Sequence, residues 1–254
     1  MSEQPVPGRP YGVWLPPRRD EDIERALVVV AHPDDADYGA AGTVAGWTDT
    51  GIEVTLVCLT RGDQGGFDDT ERARMPVIRE AEQRAASAVL GVSDVRFLDH
   101  RDGWLEPCWE LQREIVSVIR AVRPQRVLTQ SPERMYQRLQ ASHSDHLAAG
   151  EATVRAVYPA AENPFAWPEL VEQGLLAWHV GELWLMAHPQ ASHAVDVTER
   201  FDTKIKALQA HVSQTAHLGE ELERRIRGWN AMNATLFGLP QGRLAEVFAV
   251  SRVN

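Results

Sequence analysis

Residues 26–31 read Ala-Leu-Val-Val-Val-Ala, a short apolar run rich in β-branched side chains and without polar alternation. A strand with that pattern has no face left for water, so it belongs inside a parallel sheet covered on both sides. Similar runs recur along the chain, separated by helical segments. A small-residue helix is predicted over 39–47, a second strand over 52–59, and a charged, Ala-rich helix over 70–90 that stops at Gly91. A third strand at 95–98 is followed by an amphipathic helix through Leu111, Ile115, Val118, Ile119 and Val122. That helix must end before Pro124, and a fourth strand occupies 126–129. Further on, a helix starts near Asp145, strands are expected at 183–186 and 194–197, and helices at 199–211 and 218–230. Strands alternating with helices imply right-handed crossovers onto a mostly parallel sheet, hence an α/β fold. Residues 1–22, rich in Pro and Arg, read as an extended arm; no linker divides 23–254, which is expected to form a single domain.

In such a sheet, ligands bind in the crevice outside the carboxyl ends of the strands. Directly after the first strand the chain reads Ala31-His32-Pro33-Asp34-Asp35-Ala36-Asp37-Tyr38-Gly39. Alone, this segment reads equally well as a solvated turn with an Asp helix cap or as half of a metal site. Ser142-His143-Ser144-Asp145-His146 follows the fourth strand and falls at the same edge of the sheet. Together the segments offer His32, Asp35 and His146, two nitrogens and one oxygen, which leave a coordination position free as catalytic zinc requires. Beside such a set Asp34 is placed to act as general base. His143 can meet a developing oxyanion or a leaving amine, and Asp145 can orient or charge it.

The first segment resembles the AHPDD signature of the LmbE-like superfamily, also called PIG-L, and residues 142–146 resemble its later HPDH-type segment. Arg79-Glu80-Ala81-Glu82 through Leu90-Gly91 resembles the family's R-x-x-E helix ending in LG. Lys204 through Ala207-Leu208, His211 and Ser213-Gln214 is similar to its K-x-x-AL-x-x-H-x-[ST]-Q helix, and residues 243–248 supply a terminal match. The resemblance implies a Rossmann-like three-layer α/β/α fold and a metal-dependent hydrolase that removes an N-acyl group, usually acetyl, from an amino sugar or its conjugate. It implies Zn2+ on His32, Asp35 and His146, with Fe2+ as the alternative ion. Asp34 would be the base, His143 the oxyanion partner or acid tuned by Asp145, and Arg79 and Asp102 would bind substrate. Two positions depart from the pattern: Arg61-Gly62-Asp63-Gln64-Gly65-Gly66 stands where a Gly-Glu pair is common, and Ser144 where Pro is usual. Asp37 replaces a glutamate and is read as a helix cap. An amidase acting on a thiol conjugate of a glucosamine-inositol cofactor would share the catalytic residues. A non-catalytic Rossmann-type binding protein would need a phosphate-cradling loop, and Gly39-Ala40-Ala41-Gly42 lacks the G-x-G-x-x-G spacing, being explained by close helix–sheet packing.

Other residues carry weaker signals. His100 follows the third strand and could line the cleft; Trp104 and Trp109 suit either sugar stacking or the core. His211 either packs or binds, and His188, His193 and His217 read as surface or structural. With 26 Lys plus Arg against 36 Asp plus Glu, the net charge of −10 disfavours nucleic acid and anionic membrane as partners. Two cysteines, Cys58 and Cys108, cannot form a disulfide framework and fit a reducing cytoplasm. No apolar run approaches the roughly 18 residues of a spanning helix. The expected partner is a small N-acylated amino sugar, and assembly into a homo-oligomer is compatible with this composition.

Overall fold

The computed structural model describes residues 14–66 and 72–253. Most of the N-terminal arm and the first residues of the helix expected at 70–90 lie outside the described residues. Seven strands, β1 (Arg25–Val30), β2 (Glu53–Thr60), β3 (Asp94–His100), β4 (Arg126–Gln130), β5 (Glu182–Met186), β6 (His193–Asp196) and β7 (Ala245–Arg252), form one sheet in the order β3-β2-β1-β4-β5-β7-β6. The first five run parallel; β7 is antiparallel to both β5 and β6. The helices are α1 (Asp35–Asp49), α2 (Met75–Val89), α3 (Trp109–Val122), α4 (Ser144–Arg155), α5 (Pro168–Glu172), α6 (Phe201–Ala210), α7 (Val212–Thr215) and α8 (Glu220–Leu236).

Successive residues of a strand point to opposite faces, and both faces of β1 are covered. Val28 and Val30 pack with Leu56, Cys58 and Leu128 against Ala40, Ala41 and Val44 of α1 and Ala86 of α2. Leu27 and Val29 pack with Val57, Leu59 and Val127 against Leu111, Ile115 and Ile119 of α3 and Ala148, Ala149 and Ala152 of α4. This double burial is why the run at 26–31 shows no polar alternation. The order β3-β2-β1-β4-β5 reverses direction at β1 and β4, so their carboxyl ends flank the crevice where a ligand enters.

β7 is absent from the strands expected above. Glu246 interrupts its apolar pattern, and that acid is 2% exposed because Lys204 Nζ lies 2.6 Å from its carboxylate. At the opposite edge from the crevice, Arg126 is wholly buried, with its guanidinium over the rings of Trp47 and Trp184 and paired to Asp20 and Glu182. The described part of the arm is tied to this cluster, since Arg18 N–H donates to Glu182 and Arg18 C=O accepts from Arg126. Among the described residues no helix is long and apolar enough to cross a membrane.

Candidate active site

His32, Pro33 and Asp34 form the turn between β1 and α1, and Asp35 opens the helix. The Asp35 carboxylate accepts the His32 backbone N–H at 2.7 Å and the Gln130 side-chain amide at 2.8 Å. Gln130, the last residue of β4, in turn accepts from Ala31 N–H at 3.1 Å, which staples the ends of β1 and β4 together. Asp35 then lies between two imidazoles, with Oδ2 3.3 Å from His32 Nδ1 and Oδ1 2.9 Å from His146 Nε2. His146 is carried by the first turn of α4, which approaches β4 closely at Gly150: a Cβ there would stand 2.4 Å from Gln130 O. Ring nitrogens of His32, His143 and His146 lie within 4.8 Å of one another.

The other expected residues gather at the same edge, with three differences in what they touch. Asp145 does not direct its carboxylate to His143. It accepts from Gly103 N–H at 2.7 Å and Leu105 N–H at 3.3 Å and lies 3.1 Å from His32 Nε2, whereas its own backbone N–H donates to His143 Nδ1 at 3.2 Å. Asp102, 7% exposed, is likewise 3.1 Å from His32 Nε2, and the departing loop at 61–66 holds it there through Asp63, which accepts Asp102 N–H at 3.0 Å. Arg79, 4% exposed, spends its guanidinium on Asp34 at 3.0 Å and on the carbonyls of Pro33 and Gly62. Asp102 and Arg79, expected to bind substrate, thus both carry contacts within the protein at this edge.

The electrostatics follow from this crowding. Burial pushes the Asp34 carboxyl up, Arg79 pulls it down and Asp35 pushes it up again, leaving it at about 6. Burial alone would also raise Asp35, but the charges of His146 and His32 hold it well below the usual carboxylate range. Burial disfavours charge on His32 and His146, and the surrounding carboxylates outweigh it, so both are raised. His143 is lowered by burial and by repulsion from His32 and His146. Asp35, Asp102 and Asp145 thus favour the protonated form of His32, and Asp35 and Asp34 that of His146. A divalent metal takes the place of such protons, and two nitrogens flanking an ionised carboxylate make a donor set that suits one.

Asp37 does not cap α1. It is fully buried, accepting from Gln83 at 2.9 Å and lying 2.9 Å from His211 Nε2. Gln83 and Gln130 went unread in the sequence because an isolated amide has no chemical signature. The available signal for Gln83 is Arg79, Gln83 and Ser87 recurring every four residues on the buried face of α2. His100 pairs with Glu114 of α3, His188 meets Trp14 and Glu133, and His193 lies against Trp184. Trp104 and Trp109 are 68% and 71% exposed, which removes the core alternative for both. Gly39 and Gly42 face Met186 and Val197 in the helix–sheet interface, so they cradle no phosphate.

A carboxyl group that can trade a proton near neutral pH, set beside donors for a divalent metal at the switch point of a parallel sheet, defines a metal-dependent hydrolase. The family model described as GlcNAc-PI de-N-acetylase, PIG-L, matches residues 27–157, a span that contains all eight site residues expected from the sequence. A Bacillus cereus protein described as a probable N-acetyl-alpha-D-glucosaminyl L-malate deacetylase 2 is 32% identical over 225 residues, covering 85% of this chain and 94% of that protein. The diacetylchitobiose deacetylase of Thermococcus kodakarensis is 32% identical over 194 residues, covering 76% of this chain and 71% of the relative. Among solved structures, the N,N'-diacetylchitobiose deacetylase from Pyrococcus horikoshii superposes with a TM-score of 0.84 at 26% identity, over 91% of this chain and 85% of that one. The chain belongs to the PIG-L family and is a deacetylase-type hydrolase.

Proposed function

We propose that this chain hydrolyses the N-acetyl group of an N-acetylglucosamine conjugate, with zinc held by His32, Asp35 and His146. The observation that carries this reading is the Asp35 carboxylate set between two imidazoles, with Asp34 clamped beside it. When bound, zinc supplies a Lewis acid for the amide carbonyl and makes water easier to deprotonate near pH 7. Asp34, with its carboxyl at about 6, takes the proton from the attacking water and then delivers it to the leaving amine. Burial and the neighbouring imidazoles favour the neutral form of His143; since Nδ1 accepts from Asp145 N–H, its proton sits on Nε2, ready to donate to the developing oxyanion. Asp145 and Asp102 hold the far side of the His32 ring, orienting it. Arg79 holds the Asp34 carboxylate in place.

The relatives point to small saccharide conjugates as substrates, and the active groups are compatible with any of them. The test is amine release from N-acetylglucosamine linked to malate, to inositol and to a second N-acetylglucosamine. Turnover of at least one, dependent on added divalent metal, is expected; no release from any of them by metal-loaded protein would overturn the reading.

A further inference from the structure

Behind Asp34 runs a line of buried hydrogen bonds that hydrolysis as described leaves unused. Asp34 has φ of 87°, in the left-handed region that side-chain-bearing residues rarely adopt, so something must hold it there. Its backbone N–H donates to Gln83 Oε1 at 2.7 Å. Gln83 Nε2 donates to Asp37 Oδ2 at 2.9 Å, and the same oxygen lies 2.9 Å from Nε2 of His211, at the corner between α6 and α7. Gln83, Asp37 and His211 are all 0% exposed.

The order of donors along this line is set at both ends. Asp34 N–H only donates and the Asp37 carboxylate only accepts, so Gln83 turns Oε1 to the first and its NH2 to the second, with Ser87 Oγ a further acceptor of that NH2 at 3.3 Å. An amide without that carboxylate neighbour can reverse and set donor against donor. Among the described residues neither Asp37 Oδ1 nor His211 Nδ1 has a hydrogen-bond partner, so the pair bears a desolvation cost that apolar packing would avoid. Where the line reaches the active site, it does so at the backbone of the base.

We propose that Asp37 and His211 are positioning residues that act through Gln83 to lock Asp34 in its left-handed conformation with its carboxylate on Arg79. This rests on Asp34 being the base. The test compares Asp37→Asn, Gln83→Glu and the double variant, with kcat and KM measured separately and metal content and thermal unfolding recorded. In Asp37→Asn the amide pair can reverse, and kcat falls about tenfold or more while KM and metal content hold. In Gln83→Glu alone two carboxylates face each other and the line is broken at its centre, so kcat falls there too. In the double variant the carboxylate introduced at position 83 again offers only acceptors to Asp34 N–H and takes a donor from the amide introduced at position 37, whose other N–H meets His211 Nε2 once the imidazole carries its proton on the unpartnered Nδ1, so kcat recovers well beyond the sum of the single effects. Unchanged kcat in both Asp37→Asn and Gln83→Glu, or a folded, metal-loaded double variant that recovers nothing, would overturn the proposal. If Asp37→Asn does not fold, His211→Leu against His211→Gln asks the same question: lowered kcat in the first and rescue in the second support it, and equal kcat in both refutes it. Asp34→Asn is the control, since an active Asp34→Asn protein refutes the base assignment itself, whatever the Gln83 variants do.

Discussion

At Asp34, burial and charge pull in opposite directions, and the balance sets its chemistry. Desolvation raises its carboxyl to about 6 against the pull of Arg79, so it is ionised above that pH and protonated below it. A divalent cation beside it favours the ionised form, so the loaded enzyme is expected to lose kcat/KM as pH falls, with an acid limb at or below about 6; a pH profile at fixed metal concentration checks this. Asp34→Asn removes the proposed base and none of the proposed metal donors. It should keep its metal and lose about two to four orders of magnitude in kcat, the range of a general base. His32→Ala and His146→Ala should each reduce bound metal measured by elemental analysis, and full retention in both would refute the donor assignment. The residue types of this site were legible because the signature at 31–35 and the segment at 142–146 each place several groups on one short loop. Their pairings were not: Asp145 goes to His32 rather than His143, and Asp37 to His211, because a carboxylate's partner depends on which loop folds over it.

Among the elements, α4 shows how helix packing sets site geometry. Gly150 lies against the backbone of β4, where an added Cβ would come within 2.4 Å of Gln130 O and 2.8 Å of Pro132 N. Backbone cannot move aside as a flexible side chain can, so Gly150→Ala must push α4 outward. It is expected to destabilise the fold by about 1–3 kcal/mol, as overpacking does, and to weaken metal binding by shifting His146 from Asp35. Denaturant unfolding and metal titration measure the two effects. The elements with pure patterns were legible from periodicity: β1 and β2 as apolar runs, α3 as an amphipathic stripe. β7 was not, because an acid in mid-strand reads as solvent-facing until its buried cation is known.

Across the whole molecule, that same pair ties distant parts of the chain together. Lys204 on α6 bonds Glu246 on β7 at 2.6 Å and the Tyr38 carbonyl of α1 at 2.7 Å, and Glu246 accepts the N–H groups of Gly42 and Thr43. Lys204→Met would strand Glu246 at 2% exposure and should cost about 3–5 kcal/mol, the usual penalty for breaking a buried ion pair from one side. A loss of stability below about 1 kcal/mol in denaturant unfolding, the worth of an exposed pair, would mean that the pair is dispensable. Local pattern determined by itself the α/β class, the strands of the parallel half, and the two loops that carry the proposed metal donors and base. These are short-range properties of neighbouring residues. Tertiary structure alone decided the order of the sheet, the burial of Asp37 with His211, and the glutamines that hold Asp34 and Asp35. Such contacts join residues far apart in the chain, and a buried polar group acquires its role only from the partner that folding brings to it.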